Sequence, residues 1–195
     1  MLNNLEKYHV ILASNSPRRK ELLAGLGIKY EVRVLDGIDE SYPPHLSGEE
    51  IPVHIACQKA AAYQKTQAEN ELIITADTIV YLDGKVLGKP HDEKEAYDML
   101  RSLSGRTHQV ITGVCLTTTR TQHCFASVTE VTFDELTDEE IQFYVKHYRP
   151  MDKAGAYGIQ EWIGYIGAKK LTGSYFNVMG LPVQRLYQEL KKMNL

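Results

Sequence analysis

The chain has 195 residues, of which 43% are hydrophobic and 24% are charged. This is the size and composition of a globular domain, so we predict a single domain over residues 1–195, and a disordered chain, a collagen-like chain and a coiled coil are excluded. The formal net charge of −3 gives no general attraction to nucleic acid, so a polyanionic ligand would need a local cluster of cations.

The chain carries no sign of a membrane segment or of an export signal. No apolar run approaches the roughly 20 residues that span a bilayer, and residues 1–14 lack the pattern of a secretory signal. The three cysteines, Cys57, Cys115 and Cys124, have no C-x-x-C spacing, so they predict neither a disulfide framework nor a zinc site. They fit a reducing compartment, and we predict a cytoplasmic protein.

Strands and helices alternate in the first half of the chain, which predicts an α/β fold. The predicted segments are a strand at 8–13, a helix at 18–26, a strand at 30–35, a loop at 36–48 and a helix from Pro52 to Gln64. Two strand-like segments at 72–76 and 78–82 are then separated by Asp77. The Asp83-Gly84 pair is a hairpin signal that leads into a strand at 85–87.

The second half of the chain continues the alternation. Asp92 and Glu95 predict the start of a helix that ends near Leu103. A long hairpin is predicted from 107–118 and 122–133, in which Cys115 faces Cys124 and both thiols stay reduced. A capping box of Thr137 and Glu140 opens a helix to about 148, and a terminal helix covers 182–192. These elements predict a curved mixed sheet, partly antiparallel, flanked by helices.

The segment Ser14-Asn15-Ser16-Pro17-Arg18-Arg19-Lys20 is the first candidate site. Ser16 can cap a helix that has Pro17 at its first position. Three successive cations at a helix N-terminus oppose the helix dipole, so local stability does not account for them. Because such a terminus binds anions and arginine suits phosphate, this segment predicts a phosphate site. The alternative is an N-cap followed by solvated charges.

Asp77 and Lys59 are candidates because each places a charge in apolar surroundings. Asp77 interrupts the apolar stretch 72–82, where an ionised carboxylate is costly unless it is paired or bound to metal. It is a candidate base or metal ligand, or alternatively a turn residue between two strands. Lys59 lies on the flank of the apolar arc of its helix, directed either at an anion in a cleft or along the surface into water.

Three further segments carry side chains that are candidates for binding a ligand. The acidic loop Asp36 to Glu40 offers carboxylates for a hard divalent cation, Gly88-Lys89-Pro90 holds a lysine on a rigid turn, and Gln160 could read a base edge. The alternatives are a solvated loop, a surface lysine and a structural turn. The sequence contains no H-E-x-x-H, G-x-S-x-G, G-x-G-x-x-G or complete P-loop. The candidates together fit metal-assisted attack on a phosphoanhydride.

These motifs, in this order and spacing, resemble the Maf family of nucleoside triphosphate pyrophosphatases over nearly the whole chain. The motifs are Ser14-x-Ser16-Pro17-Arg18-Arg19, Asp39-Glu40-Ser41, Ala56-x-x-Lys59-Ala60, Ala76-Asp77-Thr78, Leu87-Gly88-Lys89-Pro90, Ser104-Gly105-x-Thr107-His108-x-Val110-x-Thr112-Gly113-Val114, the nine residues from Asp152 to Gln160, and Gly173-Ser174-Tyr175-x-Asn177-Val178-x-Gly180-Leu181-Pro182.

The resemblance implies a nucleoside triphosphate as substrate, hydrolysed between the α and β phosphates to a monophosphate and pyrophosphate. It implies Mg²⁺ or Mn²⁺ as cofactor, and an elongated fold with a central cleft, of the inosine triphosphatase (Maf/Ham1) type, in a homodimer. The roles that it implies are Asp77 as general base, Glu40 and Asp77 as metal ligands, Ser14, Arg18, Arg19, Lys59 and Lys89 as the phosphate-holding set, and Arg18, Thr78 and Gln160 as determinants of substrate choice.

The segment Asp152 to Gln160 resembles the branch of the family that acts on dTTP and UTP. Two positions depart from the family pattern, because Glu161 stands where glycine is usual and Arg149 precedes Pro150 where glutamate is common. Glu161 adds a negative charge next to Gln160. Our leading hypothesis is a dTTP/UTP pyrophosphatase. The alternatives are a pyrophosphatase for 7-methyl-GTP or another modified purine, and a non-catalytic nucleotide- or nucleic-acid-binding regulator of septum formation.

Overall fold

The computed structural model describes residues 2–193, in which strands and helices alternate. No helix in this range has both the length and the apolar character needed to cross a membrane. The strands are β1 His9–Leu12, β2 Glu31–Val32, β3 Glu71–Leu82, β4 Lys85–Leu87, β5 Thr107–Thr117, β6 Gln122–Phe133 and β7 Ala168–Thr172. The helices are α1 Pro17–Gly25, α2 Glu50–Gln64, α3 Glu93–Leu103, α4 Asp138–Tyr148, α5 Trp162–Gly167, α6 Tyr175–Met179 and α7 Val183–Lys192.

The strands form one mixed sheet, which confirms the predicted α/β class with a sheet flanked by helices. Among the described residues its order is β2-β1-β3-β5-β6-β7, and β4 pairs with β3. β1 is parallel to both β2 and β3. β4 is antiparallel to β3, and β7 is antiparallel to β6. Parallel neighbours around β1 require crossover connections, which α1 and α2 supply.

The chain divides into two compact units. Among the described residues, the first comprises residues 2–77, 112–127 and 180–193, and the second comprises residues 78–111 and 128–179. The strands β3, β5 and β6 contribute residues to both units. That the whole chain forms a single domain stays a prediction.

The core of the first unit is built on the two parallel strands β1 and β3. Val10, Ile11 and Leu12 of β1 are buried, as is the run from Leu72 to Ile74 in β3. Strands covered on both faces have continuous apolar runs of this kind. At the start of β3 the carboxylate of Glu71 accepts two hydrogen bonds from Arg33, at 3.1 and 2.7 Å, which ties the segment after β2 to β3.

The core of the second unit lies under α3 and α4. The apolar faces of these helices, which include Leu100 and Tyr144, pack with residues of β3, β5 and β6 such as Phe133. The predicted capping signals are confirmed, because the Asp92 side chain accepts from the Glu95 amide and both bonds of the Thr137–Glu140 capping box are present. The local signals therefore place both helix starts correctly.

Three predicted boundaries differ from the structure. α2 begins at Glu50, so Pro52 lies inside its first turn, where a missing N–H costs no helical hydrogen bond. β2 is two exposed residues long instead of six. The segments on either side of Asp77 form one continuous strand, β3. The interpretation of Asp77 as a turn residue is therefore wrong.

A buried histidine lies in an aromatic group of the second unit. His108 packs edge-on against Phe133 and Tyr157 at centroid distances of 5.2 and 5.5 Å. Its Nε2 is 2.7 Å from the Tyr157 hydroxyl. Burial lowers the pKa of His108 to about 4, so the ring is neutral at pH 7.

We expect His108 to make stability depend on pH between about 4 and 6.5. In this window the unfolded chain binds a proton that the folded chain does not, so the free energy of unfolding rises with pH, by about 3 kcal/mol over the window. Urea unfolding at a series of pH values measures this slope. His108→Gln should flatten the slope, whereas His45→Gln at an exposed position should not; equal slopes in His108→Gln and the parent would contradict the assignment.

Candidate functional site

Asp77 lies in β3 between buried residues. Ala76 and Ile79 are 2% and 4% exposed, whereas the Asp77 side chain retains 14% of its exposure. β3 continues through this position without a break. A carboxylate in such surroundings is stable as an anion only when a cation compensates it.

Lys59 supplies that compensation. Its Nζ lies 2.9 Å from Asp77 Oδ1 and 3.0 Å from Glu40 Oε1, and its side chain is 14% exposed. α2 is held against β3 by the Thr75 hydroxyl, which donates to the Ala56 carbonyl at 2.7 Å. The lysine is therefore directed at anions inside the unit, and the interpretation of a side chain that extends along the surface into water is wrong.

Glu40 is the part of this group that solvent reaches, with 56% of its side chain exposed. Its neighbour Asp39 is engaged locally, because its carboxylate accepts from the amide and the hydroxyl of Ser41, both at 2.8 Å. The hydrogen bond from the Ser41 amide is the largest cause of a lowered pKa at Asp39. Of these two carboxylates, Glu40 is therefore the one that faces Lys59.

The carboxylates of Glu40 and Asp77 fit a hard divalent cation. Both converge on one positive charge, the Lys59 ammonium. Mg²⁺ is commonly held by one or two carboxylates together with substrate phosphates, not by a complete protein cage. The donor chemistry is thus suitable for Mg²⁺ or Mn²⁺ at these two residues.

The start of α1 has the predicted cap. The Ser16 side chain accepts from the Arg19 amide at 3.4 Å, and Pro17 occupies the first helical position. The buried Ser14 hydroxyl accepts from the Ser16 amide at 3.2 Å. These bonds hold the turn between β1 and α1.

Arg19 ties two backbone segments together beside Asp77. Its Nη1 donates to the carbonyl of Ala76 at 2.9 Å, and its Nε donates to that of Gly180 at 2.8 Å. Burial lowers the pKa of Arg19, and the nearby Asp77 opposes this shift. A guanidinium stays charged in any case. Arg19 therefore adds a fixed positive charge near Asp77 and positions the strand that carries it.

Thr78, Lys89 and Gln160 belong to the second unit. Thr78 follows Asp77 directly in β3. Lys89 is exposed on the loop after β4, and this loop contacts the segment before Gln160 through a 3.0 Å hydrogen bond from the Gly155 amide to the Gly88 carbonyl. Gln160 Oε1 is buried and has no hydrogen-bond partner within the described part of the chain, so it is an acceptor that a ligand donor could satisfy.

Glu161 is one of the two residues that depart from the family pattern, and its negative charge is compensated within the second unit. Its carboxylate accepts a short hydrogen bond from the Tyr144 hydroxyl and lies 3.2 Å from Nζ of the buried Lys153. A Cβ at Gly158 would lie 2.9 Å from Glu161 Cδ, so this glycine makes room for it. No role is predicted from the sequence for Lys153, whose Nζ also lies 2.8 Å from Asp152 Oδ1.

The predicted site residues therefore divide between the two units. The first unit contains Ser14, Arg18, Arg19, Glu40, Lys59 and Asp77, and the second contains Thr78, Lys89 and Gln160. Within the first unit Glu40, Lys59 and Asp77 are in direct contact, and Arg19 is held beside them through Ala76. The roles of all nine residues stay predictions.

Curated proteins resemble this chain over its full length. The protein from Phocaeicola vulgatus is 70% identical over 99% of this chain and 100% of its own, and that from Bacteroides thetaiotaomicron is 63% identical with the same coverage. The protein from Flavobacterium johnsoniae is 47% identical over 95% of each chain. All three carry the name dTTP/UTP pyrophosphatase.

A solved structure also aligns with the chain, although distantly. It is a HAM1 protein from Coxiella burnetii, 14% identical, covering 95% of this chain and 100% of its own with a TM-score of 0.48. The likeness to the inosine triphosphatase fold stays a prediction.

The model of one protein family matches nearly the entire chain. Residues 9–193 fit the family described as Maf-like protein. The match includes the turn before α1, the Glu40–Lys59–Asp77 group and the segment that ends at Gln160, and the three relatives agree with it over the same length. On this match and these identities, the chain belongs to the Maf family.

Proposed function

We propose that this protein is a metal-dependent nucleoside triphosphate pyrophosphatase that hydrolyses dTTP and UTP to the monophosphate and pyrophosphate. Relatives that are 47–70% identical over almost the whole chain bear the name dTTP/UTP pyrophosphatase. The group of Lys59, Asp77 and Glu40 is the observation that carries the proposal. It combines a base, a cation for phosphate and two oxygen donors for a metal at one place.

The charge of the substrate explains why such a group is needed. A nucleoside triphosphate is strongly anionic near neutral pH, and catalysis of phosphoryl transfer consists mainly of positioning and charge neutralisation. Lys59 and the fixed guanidinium of Arg19 provide positive charge in the first unit. The amides at the start of α1 add partial positive charge.

Asp77 is suited to accept the proton of the attacking water. Water adds to the α phosphorus as its proton passes to the Asp77 carboxylate. The bond between the α phosphorus and the oxygen that bridges the α and β phosphates then breaks, and its electron pair leaves with pyrophosphate. Lys59, 2.9 Å from Asp77 Oδ1, orients the carboxylate for this step.

The cofactor of the proposed reaction is Mg²⁺ or Mn²⁺, and Glu40 and Asp77 would hold it. Such an ion neutralises phosphate charge and makes bound water easier to deprotonate. Roles for Lys89 as a phosphate ligand and for Thr78 and Gln160 in base recognition belong to the same proposal. Cytoplasmic location and a homodimer stay predictions.

A product-resolved substrate screen tests this function. We expect the purified protein with Mg²⁺ or Mn²⁺ to convert dTTP and UTP to monophosphate and pyrophosphate, with lower rates on purine triphosphates, when products are separated by anion-exchange chromatography. Chelation of the metal should abolish turnover. Release of orthophosphate in place of pyrophosphate would contradict the cleavage position.

The same screen distinguishes the alternatives. If 7-methyl-GTP competes with dTTP in one assay and is turned over faster, the substrate is a modified purine nucleotide. If no triphosphate is hydrolysed but duplex DNA is bound with strong salt dependence, the protein is a binding regulator. Either result would replace the proposed substrate or activity.

A further inference from the structure

The hairpin of β5 and β6 brings two of the three cysteines face to face. The Thr118 amide donates to the Thr121 carbonyl at 2.8 Å and closes the hairpin, so residues equally far from this turn lie opposite each other. Cys115 precedes Thr118 by three positions and Cys124 follows Thr121 by three. Their Sγ atoms are 2.7 Å apart, which confirms the pairing predicted from the sequence.

The third cysteine reaches the same point from α2. Cys57 Sγ lies 3.0 Å from Cys124 Sγ and 4.0 Å from Cys115 Sγ. α2 comes this close because the residues between it and the sheet are small, with Ala56, Ala60 and Cys115 all fully buried. All three cysteines belong to the first unit.

Ordinary packing does not explain this arrangement. Carbon atoms in contact are about 3.5–4.0 Å apart, and sulfur is larger, yet two of the three sulfur separations are 3.0 Å or less. The chain has only three cysteines, and all of them converge.

We propose that Cys57, Cys115 and Cys124 form a three-thiolate site for one thiophilic metal ion of the zinc and copper(I) class. Thiolate sulfur selects these ions over Mg²⁺ and Mn²⁺. A disulfide would join two of the sulfurs and leave the third unexplained, whereas one ion accounts for the convergence of all three. On binding, each thiol that becomes a ligand releases its proton to solvent.

The geometry requires only a small adjustment. Three sulfurs that bind zinc at about 2.3 Å in tetrahedral directions are about 3.8 Å apart, close to the 4.0 Å between Cys57 and Cys115. The two shorter separations would widen by about 1 Å. Within the described residues no histidine or carboxylate joins this ligand set, so zinc would take water as its fourth ligand, while copper(I) would be three-coordinate.

Cadmium titration of the reduced, metal-free protein tests the proposal. Cd²⁺ bound to thiolates absorbs in the ultraviolet by charge transfer, which carboxylate ligands do not produce, so the signal is independent of Glu40 and Asp77. We expect the absorbance to saturate at one Cd²⁺ per chain and to be displaced by Zn²⁺ or, under anaerobic conditions, by Cu⁺. The more effective of these two competitors identifies the ion.

Cys57→Ser is the decisive variant, because it removes a ligand from a half-buried helix position. It should weaken Cd²⁺ binding more than about tenfold, since even groups that only support a ligand contribute 10–100-fold. Asp77→Asn should leave the thiolate signal unchanged and serves as the matched control. If Cys115→Ala fails to fold, Cys57→Ser and Cys124→Ser still decide the result.

Two results would overturn the site. The first is the absence of a saturable cadmium–thiolate signal in protein shown by thiol titration to be fully reduced. The second is binding that survives Cys57→Ser with unchanged affinity, which would exclude a three-ligand site. A Cys115–Cys124 disulfide that forms in air counts against the proposal when the reduced protein also fails to bind metal.

Discussion

Asp77→Asn is expected to lower kcat for dTTP hydrolysis by about 10² to 10⁴-fold, the usual contribution of a general base. The amide has nearly the same shape, and its oxygen can still accept from Lys59, so the fold should survive. It cannot accept the proton of water, however, and it is a poorer metal ligand. Steady-state kinetics with pyrophosphate detection, together with thermal unfolding, measure both effects.

Glu31→Gln is a matched control for this substitution. Glu31 is an exposed carboxylate of the same unit. It forms an ion pair with Arg33 and lies 3.2 Å from His9 Nε2, outside the Glu40–Lys59–Asp77 group. Loss of one negative charge there should leave kcat within about twofold of the parent, since exposed ion pairs contribute little. Turnover by Asp77→Asn at the parental rate would remove Asp77 from the mechanism.

Gly113→Ala is expected to prevent stable folding, with a loss of more than about 4 kcal/mol in the free energy of unfolding. A Cβ at Gly113 would lie 2.3 Å from the carbonyl carbon of Pro52 and 2.4 Å from the amide nitrogen of Val53. Both are backbone atoms of α2, which cannot rotate away as a side chain can. Urea unfolding followed by circular dichroism measures the effect.

Activity offers a second measurement for this glycine. α2 carries Lys59, so any shift of the helix that accommodates the methyl group would move Nζ away from Asp77. Gly25→Ala is the control, because a Cβ at that position would meet no neighbouring group within 4 Å and alanine favours the helix. A parental urea midpoint for Gly113→Ala would show that α2 does not pack this closely on β5.

Local features of the fold are predictable because their interactions join residues close in sequence. The caps at Ser16, Asp92 and Thr137 each bond an amide three positions away. The Asp83-Gly84 turn has positive φ at both residues, as a tight hairpin requires. In each case a few neighbouring residues contain the whole interaction.

The strand through Asp77 differs from its prediction because of a contact between residues that are far apart in sequence. A carboxylate in an apolar run is typical of a turn when only its neighbours are considered. In the structure β3 continues because Lys59, from a different element, compensates the charge. The strand can therefore keep an ionised group that its own sequence would disfavour.

The family, the α/β class and the identity of the candidate residues all follow from the amino-acid sequence, because motifs and caps are contained in short stretches of the chain. Two contacts follow only from the packing of distant segments: Lys59 touches both Glu40 and Asp77, and three cysteines without metal-ligand spacing meet at one point. Both depend on how closely α2 packs on the sheet. That distance is set by Gly113 and the small residues Ala56 and Ala60, through contacts between segments far apart in sequence.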